Sequence, residues 1–121
     1  MPSTDLLDLP TLQNLVDLDD GSTALVAEMM ALFREDTPRR FQELQSALEA
    51  GDAEAFSRSA HALKGGSGAI GARALRALAA DLEAQGRVGN LSAQDIPLAQ
   101  VEAAFQHTLE ALAAYIAERA G

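Results

Sequence analysis

His61, Lys64 and Gly65 form the spacing in this chain best suited to chemistry. His61 is followed three positions later by the chain's only lysine and four positions later by a glycine. On an α-helix those offsets share one face, one turn further along. An imidazole is a nucleophile, an ammonium attracts anions, and glycine leaves bare backbone beside them. The pattern suits a histidine that carries an anion and must be reached by a large partner.

The charge distribution points the same way. The chain carries a net charge of −9, which argues against general nucleic-acid binding. Yet Ala55 to Ala80 holds no Asp or Glu, while Arg58, Lys64, Arg73 and Arg76 all fall within it. Arg87 follows soon after. His61 therefore sits in a basic island of an acidic protein. A phosphoryl group on its ring would bring roughly two negative charges, and Lys64 could bond one of its oxygens, with Arg58 or Arg87 adding field. A neutral ring keeps one nitrogen free to attack, and the sequence leaves open which one.

Helical geometry sends this ring outward. At about 100° per residue, Ser57, Arg58, Lys64, Gly65 and Gly68 share the face of His61. Phe56, Leu63 and Ile70 lie on the opposite face and must meet the core. Gly65, Gly66 and Gly68 each cost about 0.8–1.0 kcal/mol against alanine inside a helix. Either the helix ends at Lys64 with Gly65 as its cap, or it continues because function needs the bare backbone. The recurrence Phe56, Leu63, Ile70 favours continuation.

The surrounding elements read as successive helices. Leu9 to Leu18 gives a short helix with Pro10 near its start, and Asp19-Asp20-Gly21 a turn. Ser22 or Thr23 caps the next helix, on which Leu25, Met29, Leu32 and Phe33 keep apolar spacing. Thr37-Pro38 kinks this helix or divides it, and Phe41, Leu44 and Leu48 carry the stripe to a stop at Gly51. Asp52 caps the helix of His61. Gly71 to Gln85 forms another, with Gly86 as its stop. Ser92 or Asp95 opens the last, with Pro97 in its first turn and Phe105, Leu109, Leu112 and Ile116 on one face.

At 121 residues this is one domain, residues 1–121, and a hydrophobic share of 48% excludes a disordered chain. Short loops imply an all-α, antiparallel up-down four-helix bundle with a short additional N-terminal helix. There is no cysteine, hence no disulfide framework or thiolate metal site. No apolar run approaches the ~18 residues of a membrane span and no signal segment is visible, so a cytoplasmic, non-membrane protein is expected. No long heptad seam is present, and a monomer is expected.

Competing chemistries find little support. Di-metal bundles use Glu-x-x-His pairs, and this chain has none, so no metal site is expected. His107 lies about 200° from Phe105 on its helix, a solvent-facing position. Ser67 is about 120° from His61 and sits on no strained nucleophile turn, which excludes a hydrolase dyad. A plain interaction module whose histidine is never phosphorylated shares the same expected fold.

The segment His-Ala-Leu-Lys-Gly-Gly-Ser-Gly-Ala-Ile-Gly-Ala, His61 to Ala72, resembles the phosphorylation motif of histidine-containing phosphotransfer (HPt) domains. Leu78 to Arg87 is similar to the family's following helix and its Gly-Arg end, and Leu32 to Pro38 to its preceding segment. The resemblance implies that His61 accepts a phosphoryl group and exchanges it with the aspartate of a response-regulator receiver domain. It implies that Lys64 steadies the phosphoryl group and Gly65 opens the approach. It further implies that Glu83, where many members carry glutamine, bonds the ring's other nitrogen, and that Arg87 supplies charge. Partners would be receiver domains and a hybrid sensor histidine kinase. The chain would need no cofactor of its own, the Mg²⁺ belonging to the receiver. No nucleotide loop of the Gly-x-x-x-x-Gly-Lys type is present, so neither ATP binding nor autophosphorylation is expected. Docking is expected on the face of His61, through Arg58, Ala62 and Gly68, with Leu12 and Leu15 as exposed apolar contacts of the first helix.

Overall fold

The computed structural model describes residues 3–89, 91 and 96–120, with the side chains of residues 3, 4 and 120 set aside. Every regular element among them is helical: α1 (Ser3–Leu6), α2 (Leu9–Leu18), α3 (Ala24–Ala50), α4 (Ala53–Ala69), α5 (Arg73–Arg87) and α6 (Leu98–Ala120).

Local signals set most of the boundaries. The Asp8 carboxylate accepts from the Thr11 N–H and Pro10 occupies the first turn of α2, where its missing N–H costs nothing. The turn after α2 places Asp20 and Gly21 at positive φ, 53° and 86°. The start of α3 is capped from two sides: Ser22 Oγ accepts from the Ala24 N–H, and Asp19 Oδ2 from the Leu25 N–H. Thr23 is the boundary residue, but its side chain makes no capping bond. At the other end Gly51 takes the left-handed conformation, and Asp52 caps α4 by accepting from the Ala55 N–H at 3.0 Å. Pro97 directly precedes α6, its carbonyl accepting from the Val101 N–H. The expected openers Ser92 and Asp95 lie outside the described residues.

Pro38 does not divide α3. It sits on an exposed side of a continuous 27-residue helix, where the missing bond to the Arg34 carbonyl faces water. The buried stripe of α3 is Val26, Met30, Phe33, Thr37, Phe41, Leu44 and Ala47. Of the stripe expected from sequence, Leu25 and Met29 are half-buried and Leu32 is 60% exposed. The aromatics decide this rotation. Phe33 and Phe41 both stack edge-on against Phe105 of α6, with ring centroids 5.3 and 5.6 Å apart. Those contacts turn Leu32 outward.

α4 packs most heavily against α5, and α3 covers the other side of α4. The apolar side of α4 is buried as expected, with Phe56, Ala60, Leu63 and Ile70 all at 2% exposure or less. Gly86 is not a helix stop. It lies inside α5 against the backbone of Ser57, where a Cβ would come within 3.0 Å of the Ser57 N, Cα and Cβ atoms. Glycine here lets two helices touch along their backbones. At the far end of the pair, the Asp8 N–H donates to the Gly71 carbonyl at 2.7 Å, tying the start of α2 to the α4–α5 turn.

The first helices belong to the core. Leu6, Leu7, Leu12 and Val16 are all buried, Leu12 completely. Leu15 is half-buried against the same core. The expectation that Leu12 and Leu15 form an exposed docking patch is therefore wrong for Leu12, and weakened for Leu15. A ten-residue helix with one apolar stripe spends that stripe on the bundle.

Candidate functional site

α4 runs unbroken through Gly65, Gly66 and Gly68 to Ala69, so His61 and its neighbours keep helical register. The His61 side chain is 66% exposed. Its Nδ1 lies 2.7 Å from Oε2 of Glu83, on α5. Glu83 is only 3% exposed and is the hub of the site. Lys64 Nζ donates to its Oε1 at 2.6 Å, and an Arg87 guanidinium nitrogen donates to its Oε2 at 3.0 Å. The close α4–α5 approach at Gly86, one turn beyond Glu83, brings the carboxylate within reach of the ring.

The hydrogen bond from Lys64 holds the Glu83 carboxyl below the ordinary carboxylate value. The bond to His61 and the charges of Arg87 and Lys64 act in the same direction, against the opposing effect of burial. Glu83 is thus ionised at neutral pH, and an ionised carboxylate can only accept hydrogen bonds. The proton shared with the ring must belong to Nδ1. Nε2 is the nitrogen turned away from this bond, and it has no partner among the described residues. The contact thereby distinguishes two nitrogens that the sequence leaves equivalent.

The glycines have separate reasons. A Cβ at Gly65 or Gly66 would meet nothing within 4 Å, so neither glycine is required by internal packing. At Gly68 a Cβ would meet the Arg76 side chain at 3.1 Å, because Arg76 lies across that part of α4. Of the cations considered from sequence, Arg87 joins the cluster. Arg58 turns to Glu54, one turn back on its own helix, at 3.2 Å. With Lys64 and Arg87 set against Glu83, these three side chains retain one uncompensated positive charge beside the ring.

Beside this cluster, Met29, Leu32, Phe33, Thr37, Ala62 and Gly66 line a shallow groove of about 230 Å³ between α3 and α4. Ala62, which the sequence analysis places on the face of His61, lies in this lining; Leu32 is exposed and Met29 half-buried there, where the sequence analysis assigns both to the apolar stripe of their helix. The only signal for them was the surplus of apolar residues on α3, more than one stripe requires. His107 is exposed on α6. Among the described residues no group of three or more His, Asp or Glu side chains is placed to hold a metal ion. No helix among them is long and apolar enough to cross a membrane.

Comparison with known proteins agrees with this all-helical fold. Residues 28–115 match the family model of the Hpt domain. The fold is similar to that of histidine-containing phosphotransfer protein B from Pseudomonas aeruginosa PAO1, with a TM-score of 0.79 and 28% identity, covering 93% of this chain and 95% of that one. It is equally similar to the histidine-containing phosphotransfer domain of ArcB from Escherichia coli, with a TM-score of 0.79 and 26% identity over 96% and 97% of the two chains. No curated protein sequence matches the chain. Hpt domains carry phosphoryl groups between receiver domains and kinases and are not themselves kinases. An exposed histidine on an all-helical scaffold, together with a family match over most of its length, places this chain in the Hpt domain family, with histidine phosphotransfer in a two-component phosphorelay as its function.

Proposed function

We propose that Nε2 of His61 is the phosphoacceptor and exchanges the phosphoryl group with the aspartate of a response-regulator receiver domain. The observation that carries this reading is the exposed ring whose Nδ1 is bonded to a buried carboxylate. That bond fixes the ring's orientation and leaves one nitrogen pointing away from it. Phosphoryl transfer needs in-line positioning and charge neutralisation more than covalent machinery. His61 supplies the nucleophile, and the receiver supplies the acidic site and its Mg²⁺.

Lys64 is the residue that steadies the phosphoryl oxygens. In the resting protein it is bonded to Glu83, and a phosphoryl group on Nε2 competes for it with a higher charge. Arg87 keeps Glu83 neutralised when Lys64 turns away. Gly65 and Gly66 let the partner's surface approach the ring, consistent with the open space beside them. The receiver docks over the apolar groove through Met29, Leu32 and Ala62, in place of the buried Leu12.

The same reading makes the chain a carrier without nucleotide-binding machinery of its own, loaded by a hybrid sensor histidine kinase through that kinase's receiver. It acts as a monomer, without binding nucleic acid. Its four long helices, α3 to α6, run up and down in antiparallel order, as the short α3–α4 and α4–α5 turns favour.

Incubation with a phosphorylated receiver should transfer acid-labile, base-stable phosphate to the protein. His61→Gln should abolish this labelling while leaving the helical circular-dichroism spectrum unchanged, because the side chain is exposed. Label that survives in that variant rejects His61 as the site.

A further inference from the structure

We infer that Arg76 is a docking contact for the receiver: laid across α4 at Gly68 and without an acid of its own, it pairs with a carboxylate on the receiver surface beside the phosphorylated aspartate and so speeds encounter. The inference rests on the receiver docking over the face of His61, and adds a residue that selects among receivers by charge.

Four other arginines are neutralised within their own helices. Arg39 meets Asp36, Arg40 meets Glu43, Arg58 meets Glu54 and Arg87 meets Glu83, each three or four positions away. The corresponding positions around Arg76 hold Ala72, Arg73, Ala79 and Ala80, and no acid lies anywhere from Ala55 to Ala80. Among the described residues Arg76 bonds no carboxylate. Asp8 lines a cleft with Arg73 and Arg76, but its carboxylate faces Arg73 at 3.9 Å. An exposed cation without a counter-ion, in a chain of net charge −9, is open to a partner's anion.

Its placement ties this cation to the face of His61. A Cβ at Gly68 would come within 3.1 Å of the Arg76 Cδ and Nε atoms, so the arginine crosses α4 where a glycine makes room for it. Gly68 lies two turns beyond His61 on the same side of α4, about 10 Å along the helix axis. An interface of standard size covers about 800 Å² of each partner, a disc of about 16 Å radius. Centred on His61, that disc takes in Gly68 and the arginine over it. The apolar groove flanks this stretch of α4 from the α3 side, through Gly66 and Ile70, and Arg76 flanks it from α5. A receiver seated on the groove and the ring therefore meets Arg76 at its edge. The receiver's aspartate sits in an acidic surface, which the net charge of this chain repels at long range. Arg76 opposes that repulsion where the two faces meet. It also favours receivers with a carboxylate at that edge over those with a basic residue there.

The test follows association of the full chain, in a His61→Gln background, with a receiver domain selected by its affinity for that chain. Rates are read by stopped flow at about 20 mM and about 500 mM salt. At low salt Arg76→Ala should slow association by about threefold and Arg76→Glu by about tenfold or more, both effects shrinking to about twofold or less at high salt. Gln106→Glu combined with His107→Glu makes the same change in net charge as Arg76→Glu, on exposed positions of α6, which packs on α3 and α5. That control should leave both rates within about twofold of the original. With His61 restored, phosphotransfer at saturating receiver should keep its rate in Arg76→Ala, which separates docking from chemistry. Unchanged association of Arg76→Glu at low salt, a loss that persists at high salt, an equal loss in the α6 control, or slower transfer at saturation overturns the inference. Should Arg76→Glu not fold, Arg76→Ala decides by itself. Receivers that bind through Arg76 but pass no label to His61 sink the relay reading and leave this contact standing. A chain that binds no receiver sinks both.

Discussion

Replacing Gly65 by alanine should make the protein more stable and a slower phosphotransfer partner. The position lies inside α4, and a Cβ there would meet nothing within 4 Å. The substitution therefore carries no packing cost, and the helix gains about 0.8–1.0 kcal/mol from alanine's propensity. For a domain of this size that corresponds to a rise in Tm of about 3–5 °C. Gly86→Ala is the matched control. It offers the same propensity gain, but its Cβ would come within 3.0 Å of the Ser57 backbone. Overpacking of that kind costs about 1–3 kcal/mol, so the net effect is a loss of up to about 2 kcal/mol. Urea denaturation gives both stabilities, and the initial rate of label transfer from a phosphorylated receiver gives the function. If Gly65 serves approach of the partner, Gly65→Ala slows transfer despite the added stability, and Gly65→Leu slows it further. A Gly65→Ala protein that is less stable would refute the structural reasoning. One that is more stable and transfers at the original rate would refute the access role.

Three further outcomes follow from the same structure. Leu12→Ser should cost about 3–5 kcal/mol, because it opens a cavity and buries a hydroxyl, whereas Leu32→Ser should change stability by no more than about 0.5 kcal/mol and weaken receiver binding in titration calorimetry. Unchanged affinity in Leu32→Ser removes that residue from the interface. Lys64→Ala should slow phosphoryl transfer by about 10²-fold while the fold persists, since Arg87 and His61 still bond Glu83; a rate within twofold of the original would show that Lys64 does not reach the phosphoryl group. The depressed Glu83 carboxyl stabilises the fold above the unfolded carboxylate value of about 4.3 and loses that contribution as pH falls through its lower folded value. Glu83→Gln should therefore flatten the stability profile below about pH 4, measured by denaturant titration at several pH values, and an equally steep acid limb in both proteins would contradict this.

The sequence made the placement of His61 legible because contrast around one helix is a local property. Phe56, Leu63 and Ile70 on one face leave His61 no choice but the other. Caps were legible for the same reason: Asp52 and Gly51 act within a few residues of themselves. What could not be read depended on partners distant in the chain. α3 carries two overlapping stripes, and only the stacking of Phe33 and Phe41 on Phe105 selects the one through Val26 and Met30. A glycine near a helix end reads as a stop, yet Gly86 is there because Ser57 touches it. Leu12 shows that periodicity gives a direction but no depth. What distinguishes the two ring nitrogens is a contact across 22 residues, between His61 and Glu83.

The most direct test of the account is to map the phosphoryl group after transfer from a phosphorylated receiver. Peptide mass spectrometry at neutral pH should place it on His61, and phosphorus–proton correlation NMR should assign it to Nε2. Phosphate found on His107, on Nδ1, or on any serine or aspartate would contradict the site described here.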